Sequence, residues 1–264
     1  MKNKHFIAIA LLLLTLPTLA QATHYNKLEI KQNEVFEVDR GNTLLLDTLI
    51  MQDGSTIRFS SDTLGTLKAN VALIGKRCTI SSKGEDGHNY ARRYNSYQEE
   101  VGSPGKDAGD LNLELHFTAL VSLTIDTRGG TGGDGLRGRD GITGSPDRME
   151  KQKIQGANGK YITVNVPIPG TPGTNGTDAT TGLSGGDGGN IHFIYSAREF
   201  IPVFNNAKAK NSIILLYTGG KAGKDGKPGK GGYQSRDGNL ITLDKRESVD
   251  GEIKLVNLTT TVKN

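Results

Sequence analysis

The sequence predicts an all-β protein, either a short β-solenoid or a β-sandwich, that carries an inserted bundle of glycine-rich polyproline-II helices. Short runs with alternating apolar residues recur about every 10–14 residues from Lys27 to Ser82. The chain has 36 glycines, and in several stretches they keep a period of three. Helical periodicity is almost absent from 27–82. Together these observations predict β structure interrupted by glycine-rich excursions.

The first strands are predicted from alternation between apolar and polar residues, with turn residues between them. Asp53-Gly54 is the clearest turn, because this dipeptide favours tight turns between strands. The segment 47–57 resembles the coils of secreted parallel β-helix proteins. Strands are predicted at 43–51, 55–59, 67–74, 79–82, 190–195, 213–217, 240–243 and 252–262.

These patterns divide the chain into four parts. Residues 1–22 form a predicted signal peptide, and 23–128 form an N-terminal β region that includes the loop 84–110. Residues 129–189 hold the glycine-rich polyproline-II segments. Residues 190–264 return to β strands, with a second glycine-rich insertion at 219–232.

The glycines of the excursions repeat at every third position, which is the period of a polyproline-II helix. Every third residue of such a helix faces the same way, and only glycine fits where that face approaches another backbone closely. We therefore predict that the repeating glycines are structural. They are Gly129, Gly132, Gly135, Gly138, Gly141, Gly144, Gly170, Gly173, Gly176, Gly182, Gly185, Gly188, Gly220, Gly223, Gly226, Gly229 and Gly232.

Three assemblies are compatible with this register: an intramolecular bundle of polyproline-II helices, flexible glycine-rich loops, and a homotrimeric collagen-like stem. The bundle is favoured because 145–155 and 160–168 interrupt the register and supply turns. The doubled glycines at 129–130, 132–133, 185–186 and 188–189 also give one helix two glycine faces, as an interior bundle member needs. A collagen-like stem requires longer and more proline-rich runs.

The stretch Gly182-Leu183-Ser184-Gly185-Gly186-Asp187-Gly188-Gly189-Asn190-Ile191-His192-Phe193 resembles the glycine-rich segments in the N-terminal domain of Obg GTPases. The segment 220–232 is similar to them, and the wider pattern resembles snow-flea antifreeze protein and phage tail-tip adhesins. The resemblance implies glycine helices on a β scaffold. An Obg-type activity is excluded, because the chain is predicted to be exported and lacks a phosphate-binding loop.

The N-terminus predicts export and a cell-surface, periplasmic or secreted location. Lys2 and Lys4 precede an apolar run, and Ala20-Gln21-Ala22 is typical of a cleavage site. The formal charge of +4 includes these two lysines. The small remaining excess gives no basis for nucleic-acid binding. No later segment predicts a membrane helix. Cys78 is interpreted as a buried strand residue, with an intermolecular disulfide or a reactive thiol as the alternatives.

Two groups of residues are predicted to bind a glycan or a cell-surface protein. The loop 88–97 combines aromatic rings with planar donors, a composition typical of recognition surfaces. Lysines at period three predict one cationic stripe along a polyproline-II helix, and the alternative for both groups is a solvated surface. The predicted residues are Tyr90, Arg92, Arg93, Tyr94, Tyr97, Lys221, Lys224, Lys227 and Lys230.

Metal and catalytic sites have weaker signals. The segment 129–137 matches a calcium-binding nonapeptide once, with Asp134 as the ligand, but a calcium β-roll needs tandem copies. No cofactor is otherwise predicted. His116 and His192 lie within strand patterns and are interpreted as ordinary strand residues.

The sequence therefore predicts a structural or adhesive protein that binds a glycan, a surface or a partner protein without catalysis. The alternatives are a polysaccharide-processing enzyme on a β-helix and an ice- or surface-binding protein. A homo-oligomer is compatible with the sequence.

Overall fold

The computed structural model describes residues 23–39, 41–92, 99–100 and 102–259, and in this part of the chain all regular secondary structure is β. The strands are β1 (Thr23–Ile30), β2 (Val35–Glu37), β3 (Thr43–Met51), β4 (Thr56–Arg58), β5 (Gly65–Ile74), β6 (Cys78–Ser81), β7 (Ala91–Arg92), β8 (Glu99–Glu100), β9 (Leu111–Leu120), β10 (Ser122–Asp126), β11 (Arg148–Gln155), β12 (Tyr161–Ile168), β13 (Ala179–Thr180), β14 (Ile191–Ala197), β15 (Val203–Phe204), β16 (Ser212–Leu216), β17 (Leu240–Ile241) and β18 (Ile253–Asn257). No helix of the described residues is long and apolar enough to cross a membrane.

Two six-stranded sheets form the scaffold, and every pairing within them is parallel. Sheet A has the order β1-β3-β5-β9-β14-β18, and sheet B has the order β15-β16-β10-β6-β4-β2. Apart from β15 and β16, which both belong to sheet B, successive scaffold strands alternate between the two sheets and stack as the coils of a β-solenoid. Because sandwiches of the immunoglobulin type pair antiparallel strands, the all-β prediction is confirmed and the scaffold is of the solenoid kind.

The corner that leads from sheet A to sheet B is set by residues with left-handed backbone conformations. Asn33, Gly54 and Arg77 have φ angles of 58°, 72° and 56° in three successive coils. A Cβ at Gly54 would overlap the Asn33 side chain, so this corner requires glycine both for its φ angle and for space. The predicted turn at Asp53-Gly54 is confirmed.

The core lies between the two sheets. Inward residues alternate with outward ones, as in β9, where Leu111, Leu113 and Leu115 are at most 1% exposed. Cys78 faces the same core from β6, where its thiol donates to the Gln52 carbonyl at 3.2 Å. Burial raises the pKa of this thiol. The interpretation of Cys78 as a buried strand residue is confirmed.

Three excursions leave the solenoid after β6, β10 and β16 and return to β9, β14 and β18. They contain six segments, of which the first five are glycine-rich: segment 1 (82–90), segment 2 (102–110), segment 3 (127–144), segment 4 (170–190), segment 5 (217–232) and segment 6 (235–252). Segments 1, 3 and 5 follow strands of sheet B and form the outgoing layer. Segments 2, 4 and 6 lead into strands of sheet A and form the returning layer.

Three later predictions differ from the structure. The predicted strand 240–243 contributes only Leu240 and Ile241, which pair with β13 inside segment 4 rather than with the scaffold. The turn residues 145–155 and 160–168 form the antiparallel hairpin β11–β12, whose strand β11 is exposed along its whole length. The predicted strand 252–262 ends at Asn257 in the described residues.

Candidate binding surface of the glycine-rich array

Backbone hydrogen bonds join the six segments side by side. Within the outgoing layer, Gly132 and Gly135 of segment 3 donate to the carbonyls of Lys221 and Lys224, at 2.8 and 2.9 Å. Between layers, Gly223 donates to the Leu183 carbonyl at 2.9 Å. Bonds of both kinds recur at every third residue. The segments run parallel within a layer and antiparallel between layers, and this two-layered assembly is called the array below.

The doubled glycines explain how one segment packs against several others. A Cβ at Gly132 would overlap the Leu183 carbonyl of segment 4, whereas a Cβ at Gly133 would overlap the His88 carbonyl of segment 1. Gly185 and Gly186 likewise approach two different segments. The two glycines of a pair therefore serve two neighbours, as expected for an interior member.

The glycines predicted to be structural all lie at such contacts. A Cβ at any of them would come closer than 3.0 Å to a backbone atom of another segment or, at Gly170, of the connection 145–147. Real Cβ atoms do not make such contacts, so alanine at these positions requires the neighbouring segment to move. The spacing signal in the sequence thus corresponds to close backbone approach in the structure.

A second repeat links the segments through side chains. Asp, Asn, Ser and Thr side chains of one segment accept hydrogen bonds from backbone amides of the next segment in the same layer. In the outgoing layer, Asp86 accepts from Thr131 and Asp134 accepts from Lys224, both at 2.8 Å. In the returning layer, Asp107 accepts from Asp187 and Asp187 accepts from Val249, at 2.7 and 2.9 Å. We call this repeat the side-chain ladder.

The ladder continues the strand register of the solenoid. Cys78 pairs with Leu123 in sheet B and Asp86 bonds to Thr131 in the array, an offset of 45 residues in both cases. Strands β10 and β16 pair at an offset of 90 residues, and the hydrogen bond from the Lys224 amide to Asp134 spans the same 90 residues. In sheet A, β9 and β14 pair at an offset of 80 residues, which is also the offset of the bond from the Asp187 amide to Asp107. Strands β14 and β18 pair at an offset of 62 residues, as does the bond from the Val249 amide to Asp187. Each layer of the array is therefore an extension of one sheet.

The ladder ends at segment 5, where Lys221, Lys224 and Lys230 stand at the register positions of the acceptors Asp86, Asp134 and Asp140. Lys224 and Lys230 donate their backbone amides to Asp134 and Asp140, both at 2.8 Å. In the described part of the chain no further segment follows in the outgoing layer, so no acceptor is needed at this edge. The lysine row, defined as Lys221, Lys224, Lys227 and Lys230, is exposed along its length.

Charges are balanced differently at the ends of the two layers. In the returning layer, Arg246 of segment 6 contacts Asp107 at 3.1 Å and Asp187 at 2.9 Å. Within the described residues, no member of the lysine row lies within 4 Å of a carboxylate oxygen. The outgoing layer therefore ends in a line of uncompensated cations.

Asp134, the predicted calcium ligand, belongs to the ladder. One carboxylate oxygen accepts from the Lys224 amide, and its backbone carbonyl accepts from Tyr90 at 3.0 Å. The described residues contain no group of three or more His, Cys, Asp or Glu side chains arranged to hold a metal ion. The carboxylate thus has a structural partner that the nonapeptide match did not suggest.

The predicted recognition loop is only partly described. Tyr90 is half-buried at the end of segment 1, and Arg92 belongs to the short hairpin β7–β8. Arg93, Tyr94 and Tyr97 lie outside the described residues. In the described residues, β7 and β8 lie between the outgoing segment 1 and the returning segment 2, at the end of the first excursion remote from the solenoid.

The side-chain ladder was not predicted, although the sequence of segment 4 carries a signal for it. Acceptor residues repeat at every third position along segment 4, two positions after each register residue from Gly173 to Gly188. They are Asn175, Asp178, Thr181, Ser184, Asp187 and Asn190. Segment 6 was not predicted either, because its backbone amides donate to the ladder of segment 4 and it contains few glycines of its own.

The chain matches no protein-family model, no curated protein and no solved structure.

Proposed function

We propose that this chain is a secreted structural and adhesive protein of the cell surface or extracellular matrix that binds an anionic glycan through the lysine row. The N-terminal sequence pattern supports export. The array supports a structural role, because backbone bonds and the ladder fix each segment against its neighbours. The glycan class follows from the charge of the row and from its linear form.

The observation that carries this proposal is the uncompensated lysine row. If segment 5 rises 3.1 Å per residue, successive lysines are roughly 9 Å apart and the row is roughly 28 Å long. Four exposed ammonium groups in one line suit a linear polymer with regularly spaced acidic groups. The neighbouring Asp134 and Asp140 already accept backbone amides, so each has one carboxylate oxygen committed within the array.

We also propose that the six segments are polyproline-II helices packed as a bundle. The period of three and the lateral bonds at every third residue support this assignment. Circular dichroism of the mature protein should show a polyproline-II signal that disappears cooperatively on heating. A gradual, non-cooperative change would instead indicate loose glycine-rich loops.

Glycan binding is tested by removing the row's charge. Lysine-to-glutamine substitution at all four positions should weaken binding to immobilised alginate or dextran sulfate at least tenfold. The affinity of the natural protein should also fall steeply with salt, since ion pairs at an exposed surface are screened. Surface plasmon resonance measures both effects.

The matched control removes the same charge from the solenoid. Lysine-to-glutamine substitution at the exposed Lys76, Lys208, Lys210 and Lys254 should leave affinity within about twofold. Equal losses in both quadruple variants would show that net charge alone determines binding. That result would contradict a site at the lysine row.

The loop 88–97 is proposed as a second contact surface. Its composition supports this role, because aromatic rings and planar donors suit recognition of a sugar or a protein surface. Replacing Arg93 and Tyr94 with alanine should weaken binding on a glycan array while leaving the thermal transition unchanged. Unchanged binding would remove the loop from the proposed surface.

A further inference from the structure

A line of neighbouring polar side chains, joined by an ion pair, a longer charge contact and a hydrogen bond, crosses the outer face of sheet A in the solenoid. It begins with Lys68 on β5, whose Nζ lies 2.8 Å from Oε2 of Glu114 on β9. The other oxygen, Oε1, lies 3.6 Å from Nε2 of His116 on the same strand. His116 Nδ1 lies 2.7 Å from Oγ of Ser196 on β14.

The strand register creates this alignment. Lys68 is paired with Glu114, and His116 with Ser196, so each pair is adjacent across parallel strands. Glu114 and His116 are two residues apart and therefore lie on the same face of β9. The side chains of Glu114 and His116 are 28% and 33% exposed, so the line is partly shielded but accessible.

The charges along the line favour one arrangement of protons. Lys68 is the main reason that the pKa of Glu114 lies below its usual value, so this carboxylate is ionised at neutral pH. A carboxylate beside Nε2 favours the imidazole tautomer with its proton on that nitrogen. Nδ1 is then free to accept the Ser196 hydroxyl proton, which is the relation between a serine nucleophile and its base.

A surface cavity opens beside this pair, next to the carboxyl end of β14. His116 and Ser196 both line it, together with Asn70, Thr118, Arg198 and Glu199. Arg198 brings a positive charge to the same wall, where an oxyanion would require stabilisation. The other polar side chains offer donors and acceptors to a hydroxylated group.

We propose that Ser196 is the nucleophile of an ester-hydrolysing site, with His116 as the general base and Glu114 as a residue that positions His116. The substrate class is a carboxylic ester of a polar alcohol, such as an O-acylated sugar. This activity is separate from glycan binding by the lysine row and does not depend on it.

In the first step, Ser196 Oγ attacks the ester carbonyl carbon and its proton passes to His116 Nδ1. The bond from that carbon to the alcohol oxygen then breaks, and the departing alcohol takes the proton from His116. Water attacks the resulting acyl-serine, giving a proton to His116. The bond from the acyl carbon to Oγ breaks, the serine recovers its proton, and a carboxylic acid is released.

The experiment uses the mature chain with p-nitrophenyl acetate and, separately, a fluorophosphonate that labels activated serines. Release of p-nitrophenol should exceed the buffer rate, and peptide mass spectrometry should find the phosphonyl group on Ser196. Ser196→Ala and His116→Gln should each lower the enzyme-dependent rate by about 100-fold or more. His192→Gln is the control, because His192 lies on the same strand as Ser196 but outside the cavity.

The positioning role of Glu114 has its own readout. Glu114→Gln should lower kcat while leaving KM within about twofold, because the residue acts on His116 and does not bind the ester. Hydrolysis no faster than buffer, or a fluorophosphonate label on another residue only, would overturn the proposal. Full activity in a Ser196→Ala variant with unchanged circular dichroism would overturn it as well.

Discussion

The solenoid and the array share one register but are stabilised by different interactions. Leu113 and Ile80 belong to a continuous apolar core between the sheets, and both are fully buried. In the array, the buried hydrophobic residues are few, Leu136 and Ala179 among them, and neither belongs to that core. Lateral backbone bonds and ladder side chains hold the segments instead.

This difference shows that a parallel sheet can be extended beyond its hydrophobic core. Strands need side chains on at least one face to bury apolar area, whereas the segments bring backbones together without side chains between them. Glycine is required for close approach in the array, and leucine or isoleucine is required in the solenoid. The same kind of substitution should therefore have different consequences in the two regions.

The largest expected effect is in the solenoid core. Leu113→Ala should lower the free energy of unfolding by roughly 2–5 kcal/mol, because it leaves a cavity among fully buried neighbours. Leu136→Ala, the corresponding change in the array, should cost less than half as much. Chemical denaturation of both variants measures the difference, and equal costs would contradict the contrast between the regions.

The next effect belongs to the array. Gly133→Ala should lower the free energy of unfolding by roughly 1–3 kcal/mol, because the added methyl group overlaps the His88 carbonyl. Gly156→Ala, in the exposed hairpin, is the matched control, since its nearest neighbours lie 3.4 Å from the added Cβ. If Gly133→Ala unfolds at the same denaturant concentration as the natural protein, close backbone approach is not what holds the array.

A smaller effect is expected from the ladder. Asp134→Ala should lower the free energy of unfolding by about 1 kcal/mol, because the Lys224 amide loses its acceptor. Asp134→Asn keeps an acceptor oxygen and should recover most of the loss. Asp244→Ala, which removes an exposed carboxylate with no hydrogen bond in the described part of the chain, should have almost no effect on thermal unfolding.

The smallest effect is a dependence on pH. Hydrogen bonds from the Thr131 amide and hydroxyl lower the pKa of Asp86 to about 2. Because the folded-state pKa lies below the unfolded value, the contribution is complete above about pH 4 and is lost as the pH falls towards 2. Solvent screening keeps it below about 1 kcal/mol at this exposed site.

Unfolding measured from pH 5 to pH 2 tests the role of Asp86. The stability difference between the natural protein and Asp86→Asn should shrink as the pH falls. Thr131→Val removes one of the two donors and should reduce the pH-dependent part. A difference that stays constant over this range would show that ionised Asp86 does not stabilise the fold.

The scaffold could be predicted as β structure, and 43–51 was predicted with the bounds of β3. Alternation identifies strands, but it does not specify which strand pairs with which. The choice between sandwich and solenoid therefore required the structure. The strand predicted at 240–243 is a related case, because an apolar run beside segment 4 resembles a scaffold strand in sequence.

The glycines were recognisable because a single residue type satisfies one steric requirement. The ladder was harder to recognise, because Asp, Asn, Ser and Thr all supply an acceptor and therefore do not repeat as one letter. Asp134 shows the consequence, since a carboxylate within a glycine register matches a calcium motif although it accepts a backbone amide. The Ser196–His116 pair joins residues 80 positions apart and depends on the register of β9 and β14.

The shared register has a consequence for how far the excursions can reach. Contacts between segments recur every three residues. With the proposed polyproline-II geometry, one extra triplet in an outgoing segment and one in its returning partner would move the end of an excursion outward by roughly 9 Å. The hydrogen bonds between segments nearer the solenoid would stay unchanged. The length of each excursion, and the loop at its far end, can therefore vary while the part of the array next to the solenoid stays the same.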